Sequence, residues 1–444
     1  MKMINRFNKL FILLFSLLPL LLITGPAIPD IIISISCLYF IILYFFIQKN
    51  KLLINHKIFL FSLIFWISLI FISFFSYEKY LSFQDSIIFI RLLFIPIVGY
   101  FFIFNYQKNL EFCIKIIFFV VCFVIIDSLF QFFNYSAEEG FGSDLLGFKS
   151  NWYGRLTGPF KNELIPGSFS VKLGFLGFIY FLITKQNKVN FLTAIFYLSL
   201  IGVLSFVSGE RMALAMYMLC IGILFLFLKN LRMLILFSLT LFILLNLSIY
   251  KFHPFYNDFK IIESTQYHQG LKIEKEFKCS SDKDKKCKKI INVQPSFIEI
   301  LRNFKTSAYG EIYSLGINMF KNNPLTGVGI NNFKYVCLNF EKYNKQMKNY
   351  SCASHPHNLY IQWLAEGGII VFMIFIVYLS YLFFFILKNN RNHTLKIISL
   401  TNLIILFWPI MSTGSLIKNW NGILTFFIIA VSVSLHKIKI NNLK

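Results

Sequence analysis

The sequence predicts an all-α polytopic membrane protein of about twelve transmembrane helices, with one large loop between the ninth and the tenth. Three observations carry this. The 444 residues are 57% hydrophobic and 19% aromatic, and only 14% are charged, whereas a soluble chain carries about a quarter. The apolar residues fall in blocks near the length that spans a bilayer as helix, about 20 residues. The basic residues gather in alternate connections between those blocks. A net charge of +23 is therefore first a question of where lysines sit relative to a membrane, not a sign of nucleic acid.

The blocks run over residues 9–24, 30–47, 57–76, 85–104, 111–133, 167–184, 188–207, 212–228, 231–249, 359–387, 394–413 and 421–436. The first follows Lys2, Arg6 and Lys9, as a signal peptide would. It lacks a small-residue cleavage site and leads at once into the second block, so it reads as a helix. One set of connections holds Lys49, Lys51 and Lys57; Lys108; Lys185 and Lys188; Lys229 and Arg232; Lys388, Arg391 and Lys396; and Lys437, Lys439 and Lys444. These lie on one side together with the N-terminus, and the positive-inside bias makes that side cytoplasmic. Both termini are then inside, and loops 134–166 and 250–358 are outside. The chain divides into nine helices with the first outer loop (1–249), the large outer loop (250–358) and three final helices (359–444).

The large loop holds 17 Lys/Arg against 9 Asp/Glu, and long loops are largely exempt from the charge rule. Its run "KDKKCKK" reads as a solvated surface, or as attraction toward anionic headgroups or phosphorylated glycan. Cys37, Cys113, Cys122 and Cys220 fall inside apolar blocks and read as packing residues. Cys279, Cys287, Cys337 and Cys352 all fall in the large loop. An even number outside suggests two disulfides, most simply 279–287 and 337–352, although four cysteines allow three pairings. The loop is long enough to fold as a small helical cap. Its best amphipathic helix is "YGEIYSLGINMFKNNP" (Tyr309 to Pro324), stopped at the proline.

Ionisable residues inside apolar blocks are costly and usually functional. Arg91, Asp127 and Lys172 each lie roughly 8–10 Å below the outer boundary. Arg211 opens the eighth block at the outer surface, directly after "SGE". Arg155 and Lys161 sit in the loop before the sixth. One reading pairs Arg91 with Asp127 as a buried salt bridge, lets Lys172 snorkel and balances Arg211 with Glu210. The other gathers the cations into a pocket for a multiply charged anion, most naturally a lipid diphosphate, whose oxygens suit the planar arginine fork.

The stretch "CASHPHNLYIQWLAEGGII" (Cys352 to Ile370) meets the membrane on the same side. Asn358 is a good N-cap for the tenth helix, and Pro356 keeps the preceding backbone extended. His355 and His357 then sit at the outer surface. As metal ligands they lack a carboxylate or thiol pair at a recognised spacing, so neither metal nor cofactor is expected. The alternatives are capping and packing, or a histidine that takes a proton from, or donates a hydrogen bond to, a reacting group.

These residues resemble those of the O-antigen ligase and polymerase superfamily of bacterial membrane glycosyltransferases. "NPLTGVGINNF" (Asn323 to Phe333) is similar to the family's Pro-Leu-x-Gly-x-Gly segment. "SHPHNLYIQWLAEGGIIVF" is similar to its His-Pro-His-Asn followed by Glu-x-Gly, here Glu366 and Gly368. "SFVSGERMAL" resembles a Ser-x-Arg element that places its arginine at Arg211. "RLTGPFKNELIPGSF" resembles an Arg-x-x-Gly-x-Phe-x-Asn element, and "WPIMSTGSLIKNWNG" before the last helix also fits. The resemblance implies a C-type glycosyltransferase-like fold and glycan transfer from undecaprenyl diphosphate at the periplasmic face of the bacterial inner membrane, without metal. It implies that Arg211 binds the donor diphosphate, joined by Arg155, Lys161, Arg91 and Lys172. His355 then activates the acceptor or assists the departing phosphate, with His357, Asn358 and Glu366 positioning it. One departure stands out: many members carry an arginine in the amphipathic helix where this chain has Tyr309, and the nearest arginine is Arg302.

A ligase transfers the glycan to lipid A–core; a polymerase adds it to a second lipid-linked glycan. The basic outer loop suits phosphorylated lipid A–core and favours the ligase. A transporter of lipid-linked sugar would carry polar residues through the full membrane depth, whereas here the charges cluster on the outer side.

Overall fold

The structure is a computed structural model that describes residues 2–47, 56–136, 140–184, 188–257, 259–264, 271–278, 286–293, 300, 302–347, 351–410, 412 and 414–439. Its apolar helices follow the predicted blocks in order. They are α1 (Lys2–Ser16), α2 (Ala27–Ile41), α3 (Lys57–Ser73), α4 (Lys79–Ile88), α5 (Ile90–Val98), α6 (Gln107–Phe133), α7 (Pro166–Gly177), α8 (Lys188–Val207), α9 (Arg211–Phe227) and α10 (Arg232–Phe252). In the large loop lie α11 (Ala308–Asn322) and α12 (Phe333–Asn339); α13 (Leu359–Asn389), α14 (His393–Leu406) and α15 (Asn419–Ser434) follow.

Among the described residues, eight segments are long and apolar enough to cross a membrane. A ninth arises if Arg6–Ser16 and Leu18–Thr24, bent by 50°, form one span. The remaining apolar helices α3, α9 and α14 are shorter. The chain is thus an all-α polytopic membrane protein, whose described residues hold eight or nine full-length spans and three shorter apolar helices. For α14 the reason is local. Its block was predicted to reach residue 413, but Pro409 disfavours helix in the residue before it, and the helix stops at Leu406.

The helical cap predicted for the large loop is only partly helical. Three of its described segments, Phe259–Ser264, Leu271–Lys278 and Lys286–Val293, pair as an antiparallel sheet, with Leu271 opposite Val293 and Ile273 opposite Ile291. The sequence "LKIEKEFK" has Leu271, Ile273 and Phe277 two or four residues apart, with charged residues between. That is the period of a strand, not of a helix. Cys279 lies outside the described residues, and so does its predicted pairing with Cys287.

The chain forms two compact units. Residues 1–113 and 308–439 make the first, and residues 114–307 belong to the second. In the first, Phe65 of α3 is fully buried, with Trp363 and Tyr378 of α13 at ring-centroid distances of 5.3 and 5.9 Å. Its loop helices have a core of their own, where Ile312, Leu315 and Met319 of α11 join Phe333, Val336 and Cys337 of α12 and Ala365 of α13. In the second unit α7, α8, α9 and α10 pack through fully buried residues such as Leu173, Leu198, Ile201 and Tyr217.

Candidate functional site

The first unit presents the histidines on a braced backbone. Asn358 caps α13 as predicted: its Oδ1 accepts from Tyr360 N at 3.0 Å and Ile361 N at 3.1 Å. Its amide nitrogen donates to Pro409 O at 2.7 Å, and Tyr360 Oη donates to Phe407 O at 2.6 Å. The carbonyls freed by the early end of α14 therefore hold the start of α13. His357 has φ 56°, a left-handed conformation that few side chains adopt. This turn brings the His355 and His357 rings to 4.3 Å. His355 is buried, and its Nδ1 shares a hydrogen bond with Ser354 Oγ at 2.9 Å. Burial lowers His357 below the ordinary histidine value, so this ring is neutral at pH 7. Among the described residues no three His, Cys, Asp or Glu side chains come together as a metal-binding group.

Tyr309 and Tyr313 of α11 stand beside these rings. The Tyr309 ring lies 5.9 Å from that of His357, edge to face, and Tyr313 Oη donates to His357 O at 3.5 Å. Burial pushes the Tyr313 hydroxyl up to about 12, so it stays a donor. The place where many resembling sequences carry an arginine is thus occupied here by an aromatic ring at the histidines. Arg302 is exposed before α11.

The disulfide Cys337–Cys352 forms as predicted and ties α12 to the strand of chain that leads into His355. With a sequence separation of 15 it stabilises the fold by about 3 kcal/mol in the chain-entropy account. Cys352→Ser should therefore lower the thermal midpoint of the solubilised protein by several degrees, and a reductant should lower the wild type to the same value.

The two glycine motifs meet each other. Inside α13, Gly368 has φ 61° and ψ −165°, which breaks the helix. The carbonyls freed there are taken by the Pro324–Gly329 segment: Val328 N donates to Ala365 O at 2.8 Å and Gly329 N to Glu366 O at 2.9 Å. In return Ile369 N donates to Pro324 O at 2.9 Å. Glu366 itself is fully buried. It accepts from Phe333 N at 3.3 Å and from Gln362 Nε2 at 2.9 Å, while Gln362 also reaches Ser415 Oγ at 2.8 Å. Glu366 therefore braces the start of α12.

Arg91 is committed to its neighbours. Its Nε and Nη2 donate to Asp30 at 2.6 and 3.1 Å, and Nη2 also donates to Asn419 Oδ1 at 2.9 Å. Asn419 Nδ2 closes the ring on Asp30 Oδ2 at 3.1 Å, joining α2, α5 and α15. The expected Arg91–Asp127 pair is replaced by Arg91–Asp30, while Asp127 has Asp144 as its charged neighbour. Sequence distance gave no signal for either partner.

The second unit collects cations around one carboxylate. Glu210 accepts from Gly167 N at 2.6 Å and from Ser168 N at 3.2 Å, so it sits on the N-terminus of α7, where the helix dipole favours an anion. Arg155 and Lys172 both act on Glu210 electrostatically, and Arg211 is the next residue in the chain. Lys172 is buried and Arg211 half-buried. Burial raises the Glu210 carboxyl above the ordinary value, opposed by Ser168, Arg155 and the Gly167 amide. Leu156 N donates to Ser208 O at 3.3 Å, which holds the Arg155 segment against the Ser-Gly-Glu turn. Three of the predicted donor-binding cations thus share one neighbourhood. Lys161 is exposed, with its ammonium 5.8 Å from the Phe148 ring centroid.

Residues 194–376 match the family model described as O-antigen ligase. The matched stretch contains Arg211, the Pro324–Gly329 segment, His355 to Asn358 and the Gly368 break, and the Arg155–Lys172 element precedes it. No curated protein sequence matches the chain. The stretch 194–376, which holds both the arginine and the histidine motifs, is thus similar to the O-antigen ligase domain.

Proposed function

We propose that this protein transfers a glycan from undecaprenyl diphosphate to lipid A–core, or a similar acceptor, at the periplasmic face of the inner membrane. The observation that carries the reading is a cluster in the second unit: Arg155 and Lys172 act on Glu210, and Arg211 follows it directly, so three cations gather beside one carboxylate. That surplus suits a diphosphate. Arg211 and Arg155 bind the donor phosphates, Lys172 adds charge from the buried side, and Lys161 lies at the rim. Arg91 drops out because Asp30 and Asn419 occupy its fork.

In the reaction the acceptor hydroxyl oxygen bonds to the anomeric carbon while the bond from that carbon to the phosphate oxygen breaks. His355 receives the hydroxyl proton, and undecaprenyl diphosphate leaves with the electron pair. The leaving group is already a stabilised anion, so positioning and charge neutralisation supply much of the rate. The reading employs neither metal nor nucleotide sugar, and the protein's partners are lipid-linked glycan, its acceptor and membrane lipid, with no nucleic acid. The twelve-span topology with both termini cytoplasmic belongs to the same proposal, supported by the alternating lysines and by the Cys337–Cys352 bridge, which suits an oxidising compartment.

Arg211→Lys is expected to lower transfer by about 10²-fold, because lysine keeps the charge but loses the two-pronged donor. Near-normal transfer by this variant would show a charge at the membrane surface and no more. The lipopolysaccharide banding of a deletion strain separates the acceptors. Bare core with accumulated carrier-linked polymer marks the ligase, and core bearing one repeat unit marks a polymerase. The net positive outer loop favours the first.

A further inference from the structure

Asp127 and Asp144 lie outside every motif, yet both are buried, at 0% and 3% exposure. Asp127 is on α6, six residues before its end, and Asp144 is in the loop that follows. Leu145 N donates to Asp127 Oδ1 at 3.1 Å, and Phe148 N donates to Asp144 Oδ1 at 2.7 Å. Asp127 Oδ2 and Asp144 Oδ2 are both buried with no amide or hydroxyl donor, and each carboxyl acts on the other at hydrogen-bonding range. Ionised carboxylates only accept, so a bond between two of them holds a proton. One turn further along α6, Gln131 continues the same contact. Its Oε1 accepts from Thr157 N at 3.0 Å and Gly158 N at 2.9 Å, and its Nε2 donates to Phe148 O at 3.2 Å. Asp127 and Gln131 together hold both ends of the segment that leads to Arg155.

We propose that Asp127 and Asp144 share one proton, and that this proton latches residues 142–160 onto α6 and so positions Arg155. The inference rests on the donor-binding reading of Arg155 for its catalytic consequence but not for the latch. The groups around the pair leave it few ways to be neutralised otherwise. The charge that acts on Asp127 is that of Asp144, and Asp144 is otherwise met by the amides of Leu146, Gly147 and Phe148. Of the loop's cations, Lys161 lies over the Phe148 ring and Lys149 is exposed. Just after α10, His253 stacks on Phe132 at 4.1 Å and bonds its carbonyl; Tyr135 and Tyr153 bond each other at 2.6 Å.

The sign follows from burial, which raises the Asp144 carboxyl above the ordinary range. A raised acid favours the docked loop while it is protonated. That contribution is present in full at acid pH and is lost as pH rises through the raised value.

Hydrogen exchange of the full solubilised chain tests this. After correction for intrinsic exchange, amide protection of residues 142–160 should fall about tenfold between about pH 6 and about pH 9 in the wild type. In Asp127→Asn, and separately in Asp144→Asn, the amide donates without a proton to lose, so protection should hold at both pH values. Unchanged wild-type protection overturns the latch, as does a fall in both Asn variants equal to the wild type's. The donor KM should rise with pH in the wild type and stay flat in the Asn variants. If exchange behaves as expected while KM does not follow, the latch stands and Arg155 is not a donor-binding residue.

Discussion

His355→Ala is expected to lower glycan transfer by about 10²–10⁴-fold, the usual worth of a positioned acid–base group, while expression and membrane insertion stay normal. The geometry separates this effect from loss of fold. Asn358 carries the helix cap and the contact to Pro409, Tyr313 holds the His357 carbonyl, and the Cys337–Cys352 bridge anchors the incoming chain. His355 contributes its ring to none of these three supports. To act as base, its Nε2 must carry the lone pair, which requires the Nδ1 proton to point at Ser354 Oγ, 2.9 Å away. Ser354→Ala should therefore cost a smaller factor, about tenfold, by loosening the tautomer. Quantitative transfer by purified His355→Ala in a membrane carrying donor and acceptor would remove the histidine from the chemistry. His357→Ala is a useful companion, because that ring is neutral and its left-handed backbone shapes the turn.

The second large effect concerns stability. Gly368→Ala should destabilise the protein by about 3–5 kcal/mol, through backbone strain and steric overlap together. The combination of φ 61° and ψ −165° belongs to a region that glycine alone visits. A Cβ there would also lie 2.6 Å from Thr326 N and against the Leu325 carbonyl. Neither neighbour is a side chain that can swing away, since both belong to the segment whose amides cap the broken helix. The expected readout is a large drop in thermal midpoint or loss of folded protein from the membrane. Gly222→Ala is the control: it sits within α9 with nothing within 4 Å of an added Cβ, and should be neutral or slightly stabilising. Equal behaviour of the two variants would mean the break in α13 is not held as the hydrogen bonds indicate.

The motifs were legible in the sequence, but half of their meaning was not. Asn358 as a cap follows from its place before an apolar run, and its amide does bond Tyr360 N and Ile361 N. The bridge Cys337–Cys352 followed from shared location. Glu366 was read as a group near the acceptor, yet it is fully buried and braces α12. Its glycine neighbour makes the helix break that the Pro324–Gly329 segment fills, so two motifs some forty residues apart are one structural joint. The strand alternation in Leu271–Lys278 is present in the sequence, and the structure pairs it as a strand where a helical cap is expected.

What the sequence determined alone was local and additive. The length and polarity of each apolar block depend on neighbours along the chain, so the helices, their order and the membrane class could be read directly. Ion pairing could not, because a charge in a low-dielectric interior takes whichever partner the packing of distant segments brings near. Arg91 went to Asp30 and Asn419, and Asp127 to Asp144. Those choices are made when helices far apart in sequence pack side by side and exclude water, and the tertiary structure alone records them.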